Sequence, residues 1–203
     1  VFSREFLILS VLIVGVGIGG GMYLGVLEQP DIPSNSTDPA VQQGMNRTVV
    51  EQYFIEYLNE ERQERGVQLV SQRQVLTEMG ESHSQVMARE GEIGHVEQDG
   101  DTIKSRYEDR GLLPECRLPI DGSNRYYEGA ENAAATWIHR SIESEDGTTT
   151  RINSEQELAE QLVAQWMNSP PHRKAMLVGS ADEAGLGLYI TDENKVYASL
   201  ELC

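Results

Sequence analysis

From Phe6 to Leu27 the chain runs for 22 residues without a charge. As a helix that run would reach roughly 33 Å, enough to cross the hydrocarbon core of a bilayer. It divides the sequence into an anchor, residues 1–27, and everything that follows. Arg4 precedes the run and Glu28 and Asp31 come after it, a charge order that leaves the N-terminus in the cytoplasm and the remainder outside. A cleaved leader would have a shorter apolar core and a small-x-small exit site, and Val26-Leu27-Glu28 offers none. The expectation is a single-pass helix in the cell membrane with an outward-facing domain.

Residues 28–47 are rich in Pro, Ser, Asn, Asp and Gln and have no apolar period, the composition of a polar stalk. Two acceptor patterns for N-glycosylation, Asn35-Ser36-Thr37 and Asn46-Arg47-Thr48, fall in or beside it. The domain is expected from 48 to 203. Its 33 acidic residues outnumber 16 basic ones across the chain, for a net charge of −17, which disfavours nucleic acid and anionic lipid as partners. Only Lys104, Lys174 and Lys195 are lysines. An acidic, lysine-poor surface suits a protein of very high salt, as in a halophilic archaeon, because carboxylates hold water and ions.

Within the domain the apolar spacing predicts a helix from Thr48, opened by the capping box Thr48-x-x-Glu51 and ended by Gly66. A second helix is expected over 73–89 and a short one over 103–110. Ser154-x-x-Glu157 opens another to Asn168, where Pro170-Pro171 breaks it, and His172 begins a brief helical turn to Leu177. Thr136 to Ser141 and Thr148 to Ile152 flank the turn signal Asp146-Gly147. Gly185 to Thr191 and Val196 to Glu201 form the closing hairpin. Helices at both ends, with strands mainly last, make an α+β layered domain.

Tyr126-Tyr127-Glu128-Gly129-Ala130-Glu131-Asn132-Ala133-Ala134 has the composition of a crowded loop rather than an open one. Alanines let neighbouring chains come close, so Glu131 is expected inside a cleft. A buried carboxylate needs partners, and His95 and His172 are the ones expected. Arg106 reads as a surface ion pair and His83 as a core residue of its helix. Cys116 and Cys203 are expected to form a disulfide if the domain is exported.

Four stretches together resemble the CAP superfamily of cysteine-rich secretory proteins, antigen 5 and pathogenesis-related proteins, in its prokaryotic form. They are Asn59-Glu60-Glu61-Arg62, His83-Ser84-x-x-Met87 with Gly94-His95, Glu131-Asn132, and Trp166-Met167-Asn168-Ser169-x-x-His172-Arg173. The likeness covers Thr48 to Cys203. It implies a three-layer α-β-α sandwich outside the cell, with a cleft formed by His95, Glu131, His172, Asn132 and Ser169. Ser169 stands where animal and plant members carry a second glutamate. Two imidazoles and a carboxylate, His95, His172 and Glu131, would suit zinc with one open position; a hydrogen-bonded network without an ion is the other reading. The expected function is a binding or interaction module for an extracellular ligand or protein. A metal-dependent, peptidase-like hydrolase is the alternative. No nucleophile with an adjacent base is apparent: Ser84 and His83 point about 100° apart on a helix, and Ser169 meets His172 only if the helix passes through two prolines.

Overall fold

Small and aliphatic residues alternate from 183 to 202, and that period of two builds the centre of the molecule. The computed structural model describes residues 40–120, 124–143, 147 and 149–203. Strands β1 (Val41–Gln42) and β2 (Met45–Asn46) lead into α1 (Arg47–Glu64), and β3 (Ser71–Gln72) precedes α2 (Gln74–Glu90). Next come α3 (Ile103–Asp109), β4 (Arg117–Pro119), β5 (Tyr126–Glu128) and β6 (Ala130–Trp137). The chain closes with β7 (Ser141–Glu143), β8 (Thr149–Arg151), α4 (Glu155–Asn168), α5 (Pro170–Met176), β9 (Glu183–Ile190) and β10 (Lys195–Leu202). The main sheet has the order β3-β9-β10-β6, antiparallel throughout except for the parallel β3–β9 pair.

Ala184, Leu186 and Leu188 of β9 and Val196, Ala198, Leu200 and Leu202 of β10 share one core with Phe54 and Leu58 of α1 and Leu158, Leu162 and Trp166 of α4. Phe54 meets Trp166 edge to face at 5.5 Å, and each buried side chain of this size contributes about 1.5–3 kcal/mol. The alternate positions, Gly185 and Gly187, turn to the other face, where α2 lies. A Cβ at Gly187 would sit 1.8 Å from the Glu81 nitrogen, and one at Gly80 would sit 2.7 Å from the Ser199 carbonyl oxygen. Helix α2 therefore rests on the sheet main chain to main chain. Helices on both faces of the sheet make the expected α-β-α arrangement.

The Asn59–Arg62 stretch acts as a clamp at the end of α1. Asn59 bonds both backbone groups of Val70, at 2.9 and 2.8 Å. Arg62, fully buried, donates to the carbonyls of Gln68, Met176, Val178 and Ala181. Val67 N reaches Arg62 O and Gly66 N reaches Gln63 O, closing the helix in a Schellman turn. Cys116 and Cys203 are disulfide-bonded across 87 residues, as expected, and both are buried.

Several expectations change. The folded part starts ahead of Thr48: Met45 is buried in the core, and Gln42 accepts from Ile190 N, so residues 41–47 are not stalk. Two-residue strands leave no period to read. Asn46, not Thr48, caps α1, its side chain accepting from the nitrogens of Thr48 and Val49. Residues 130–134, read as part of a crowded loop, belong with 135–137 to a strand at the edge of the main sheet. Alanine, asparagine and glutamate are weak strand formers, and packing between two layers selects them for size. The helix break at Pro170-Pro171 starts a new helix: the prolines occupy the first turn of α5, where a missing N–H costs nothing. The hairpin around Gly147 is present as β7–β8, but its first arm is Ser141–Glu143 rather than 136–141, since Thr136 and Trp137 end β6. The expected membrane helix, the stalk up to residue 39 and Asn35 lie outside the described residues. Among the described residues no helix is long and apolar enough to cross a membrane.

Candidate functional site

Glu131 and Asn132 are neighbours on β6, so their side chains leave opposite faces of the sheet. Gly129 lets the chain enter this strand; its φ is +76°, and a Cβ there would lie 2.4 Å from the Tyr107 ring. Glu131 points toward α2 and α3, and its side chain has no exposed surface. One carboxylate oxygen accepts from Arg106 and the other meets His95 Nδ1 at 2.7 Å. His83 Nε2 is 3.6 Å from the same oxygen. Burial alone would raise the Glu131 carboxyl; the His95 hydrogen bond and the charges of Arg106 and His83 outweigh it and hold it below the ordinary value.

The support around this carboxylate comes from three elements. His83, on α2, is fully enclosed between Glu97 Oε1 and the Gly94 carbonyl, each 2.8 Å from a ring nitrogen. Each ring nitrogen faces one oxygen, a side-chain oxygen on one edge and a main-chain oxygen on the other. His83 thereby pins the 91–97 loop that carries His95. Arg106, on α3, is only 3% exposed; it also donates to the His95 carbonyl at 3.2 Å and lies 3.5 Å from Glu97. Its reading as a surface ion pair is overturned. The signal available was its place beside Tyr107, a core position, in a chain whose Glu131 needed a cation.

Glu201 was not anticipated at all. It stands directly opposite Glu131 on β10, fully buried, and accepts from Ser199 Oγ at 2.8 Å. Burial, then the charge of Glu131, push its carboxyl well above the usual range. Two carboxylates this close do not both ionise. Glu201 carries the proton and Glu131 the charge.

His95 is the exposed member of the group, with 47% of its side chain open to solvent. Its hydrogen bond to Glu131 raises its pKa against the opposing effect of burial. His172 belongs to a different pair: its Nδ1 lies 2.8 Å from Ser169 Oγ. The two meet without α4 running on through the prolines, because a new helix starts there. Ser169 is the N-cap of α5 and His172 the third residue of that helix, the separation at which cap and third-position side chains meet. Burial and then the charge of His95 lower the His172 pKa. Asn132, on the opposite face from Glu131, donates to the His172 carbonyl at 3.0 Å and ties α5 to the sheet.

The expected residues thus form two pairs, His95–Glu131 and Ser169–His172, with Asn132 behind the second. Among the described residues no group of three or more His, Cys, Asp or Glu side chains could hold a metal ion. His95, His172 and Glu131 are not gathered as one ligand set, because Arg106 and His95 already occupy the carboxylate of Glu131. Each histidine uses Nδ1 within the protein, leaving Nε2 for whatever enters. Beside Glu131 lies a groove of about 200 Å³ lined by Ile103, Tyr127, Ala130, Pro171, Ala175 and others, with Lys174 also in its wall.

Solved structures share this fold at low identity. An outer surface protein of Borrelia burgdorferi superposes with a TM-score of 0.54 and 15% identity, over 74% of this chain and 89% of that one. An extracellular protein containing an SCP domain, from Bacillus anthracis, superposes with a TM-score of 0.50 and 16% identity, over 79% of this chain but only 41% of its own length. No curated protein matches by sequence. The model of the CAP, or cysteine-rich secretory protein, family matches residues 55–201, and the chain belongs to that family.

Proposed function

We propose that the chain is a membrane-tethered module facing outside the cell, and that it captures a ligand in the cleft at His95 without turning it over. The observation that carries this reading is the half-exposed His95 ring. It is locked by its Nδ1 to a buried, charged Glu131 beside an apolar groove. A fixed imidazole offers its remaining N–H to an acceptor on the ligand, while the groove takes an apolar part. The support behind it (Arg106, His83 and Glu97) keeps the ring in place. The uncharged run from Phe6 to Leu27 supports the tether. Protease treatment of intact cells tests the orientation: loss of the domain is expected, and full protection would refute it.

A hydrolase is the second reading, favoured by the Ser169–His172 contact. The Ser169 hydroxyl makes no cap bond to α5 and is directed at the imidazole instead. A lowered His172 pKa keeps that ring neutral and able to accept the hydroxyl proton. Zinc fits the same cleft in a limited way. The Nε2 atoms of His95 and His172 would hold it, with Glu131 and Ser169 as the hydrogen-bond partners that ligating imidazoles use. Bound there, it would supply a polarised water. Incubating the full chain with denatured protein, beside His95→Ala, His172→Ala and Ser169→Ala, separates the readings. Equal background from all four is expected. Turnover by the wild type that a variant loses would replace the binding module with the hydrolase.

A further inference from the structure

A second cavity, of about 460 Å³, opens between the start of α1, β3 and α2 and shares no lining residue with the groove beside Glu131. Arg47, Glu51, Gln72, Gln74, Thr77 and Glu81 line it. Its positive charge is already committed, since Arg47 pairs with Glu81 and donates to the Leu188 carbonyl. The acceptors are in excess. Glu51 is 5% exposed, and it accepts a long hydrogen bond, 3.3 Å, from the Gln72 amide. Thr77 is 2% exposed and its hydroxyl has no hydrogen-bond partner among the described residues. A buried carboxylate and a buried hydroxyl without good partners are costly unless something else completes them.

The chemistry narrows what that is. Two carboxylates repel an anion. Among the described residues no aromatic side chain lines the cavity, so a quaternary ammonium would lack the ring faces it prefers. Among the described residues no three acidic or histidine side chains converge for a divalent ion. What remains is a single positive charge carrying several N–H donors, with room beyond it for a polar body facing amides. We infer that this cavity binds the primary ammonium group of a small polar amine, held between Glu51 and Glu81 with the Thr77 hydroxyl beside it.

Binding should be linked to protons. Burial first, and then the charge of Glu81, raise the Glu51 pKa to about 7. The groups that face it are Arg47 from its own helix, Glu81 from α2 and the Gln72 amide from β3. An ammonium ion selects the ionised carboxylate, so affinity rises about tenfold from pH 6 to pH 8.

Equilibrium dialysis of the full chain with radiolabelled ethanolamine tests this. Saturable binding is expected, displaced by unlabelled ethanolamine but not by ethylene glycol, which replaces the ammonium with a hydroxyl. Glu51→Gln should weaken it tenfold or more and Thr77→Val about threefold, while His172→Ala, in the other cleft, leaves it unchanged. Nα-acetyl-lysinamide competing better than ethanolamine would assign the ammonium to a protein lysine, and competing worse would assign it to a free amine; both support ammonium recognition. Equal displacement by ethylene glycol, displacement by the same concentration of sodium or potassium ion, or unchanged binding in Glu51→Gln would each overturn the proposal. The ethylene glycol comparison needs no variant and stands even if the substitutions fail to fold.

Discussion

Replacing each of the two facing glutamates by glutamine should give opposite results. Glu131 is charged and directly paired with Arg106, with His83 close by. Glu131→Gln removes the charge and leaves a buried guanidinium with only Glu201, itself protonated in the wild type, and Glu97, 3.5 Å away, as acids near it. Breaking a buried pair from one side costs about 3–5 kcal/mol, a large part of the roughly 5–15 kcal/mol that holds a domain together. Glu201 already carries its proton, so Glu201→Gln exchanges one neutral donor for another of the same shape. At pH 5 the change should be within about 1 kcal/mol. The folded pKa of Glu201 is raised above its unfolded value, so its contribution is complete below the unfolded value and declines as pH rises toward the folded one. In that window the wild type loses about 1.4 kcal/mol per pH unit that the glutamine variant does not lose. Urea unfolding of both variants and the wild type at pH 5, 6, 7 and 8 measures this. Glu201→Gln should gain on the wild type as pH rises, and Glu131→Gln should stay well below both. A loss in Glu201→Gln comparable to that of Glu131→Gln, with no pH trend in the difference, would refute the assignment of the proton.

Further outcomes follow from the packing. Gly187→Ala places a methyl 1.8 Å from the Glu81 nitrogen and should cost 3 kcal/mol or more, roughly the upper range for overpacking, read as a fall in the urea midpoint. Arg62→Met leaves four carbonyls without their donor, those of Met176 and Ala181 buried, and should cost about 3–5 kcal/mol by the same measurement. Reducing the disulfide opens a loop of 87 residues, worth about 4–5 kcal/mol in the entropic account, and should lower Tm markedly in a thermal scan with and without reductant. Lowering pH through the folded pKa of Glu131 removes its stabilisation, because that pKa is held below the unfolded value. His95→Ala and Arg106→Met should each shrink this acid limb, because the His95 hydrogen bond and the Arg106 charge both hold that carboxyl down.

Residue type and spacing made His95, Glu131 and His172 stand out, and the capping box at Ser154 and the alternation of β9 and β10 were equally plain. The partners of those residues were not. Whether a charge is buried depends on what the far end of the chain brings to it. Arg106 looked like any helical arginine because the acid it meets is 25 positions away. Glu201 follows Ser199 in an alternating pattern that reads as a solvent face; the face is in fact covered by α2. The β6 strand was hidden for the opposite reason, since tight packing demanded residues that have little strand preference of their own. The Ser169–His172 contact was missed because two prolines were taken only as a stop, when they also start a helix.

Helix α2 has no layer of side chains between itself and the sheet along Gly80, Gly185 and Gly187. There is no cushion to compress, and such a helix cannot roll or slide without lifting off as a whole. It acts as a fixed datum from which two hollows are measured, one through His83 and the other through Thr77 and Glu81. A guest in either must therefore be accommodated by the outer walls.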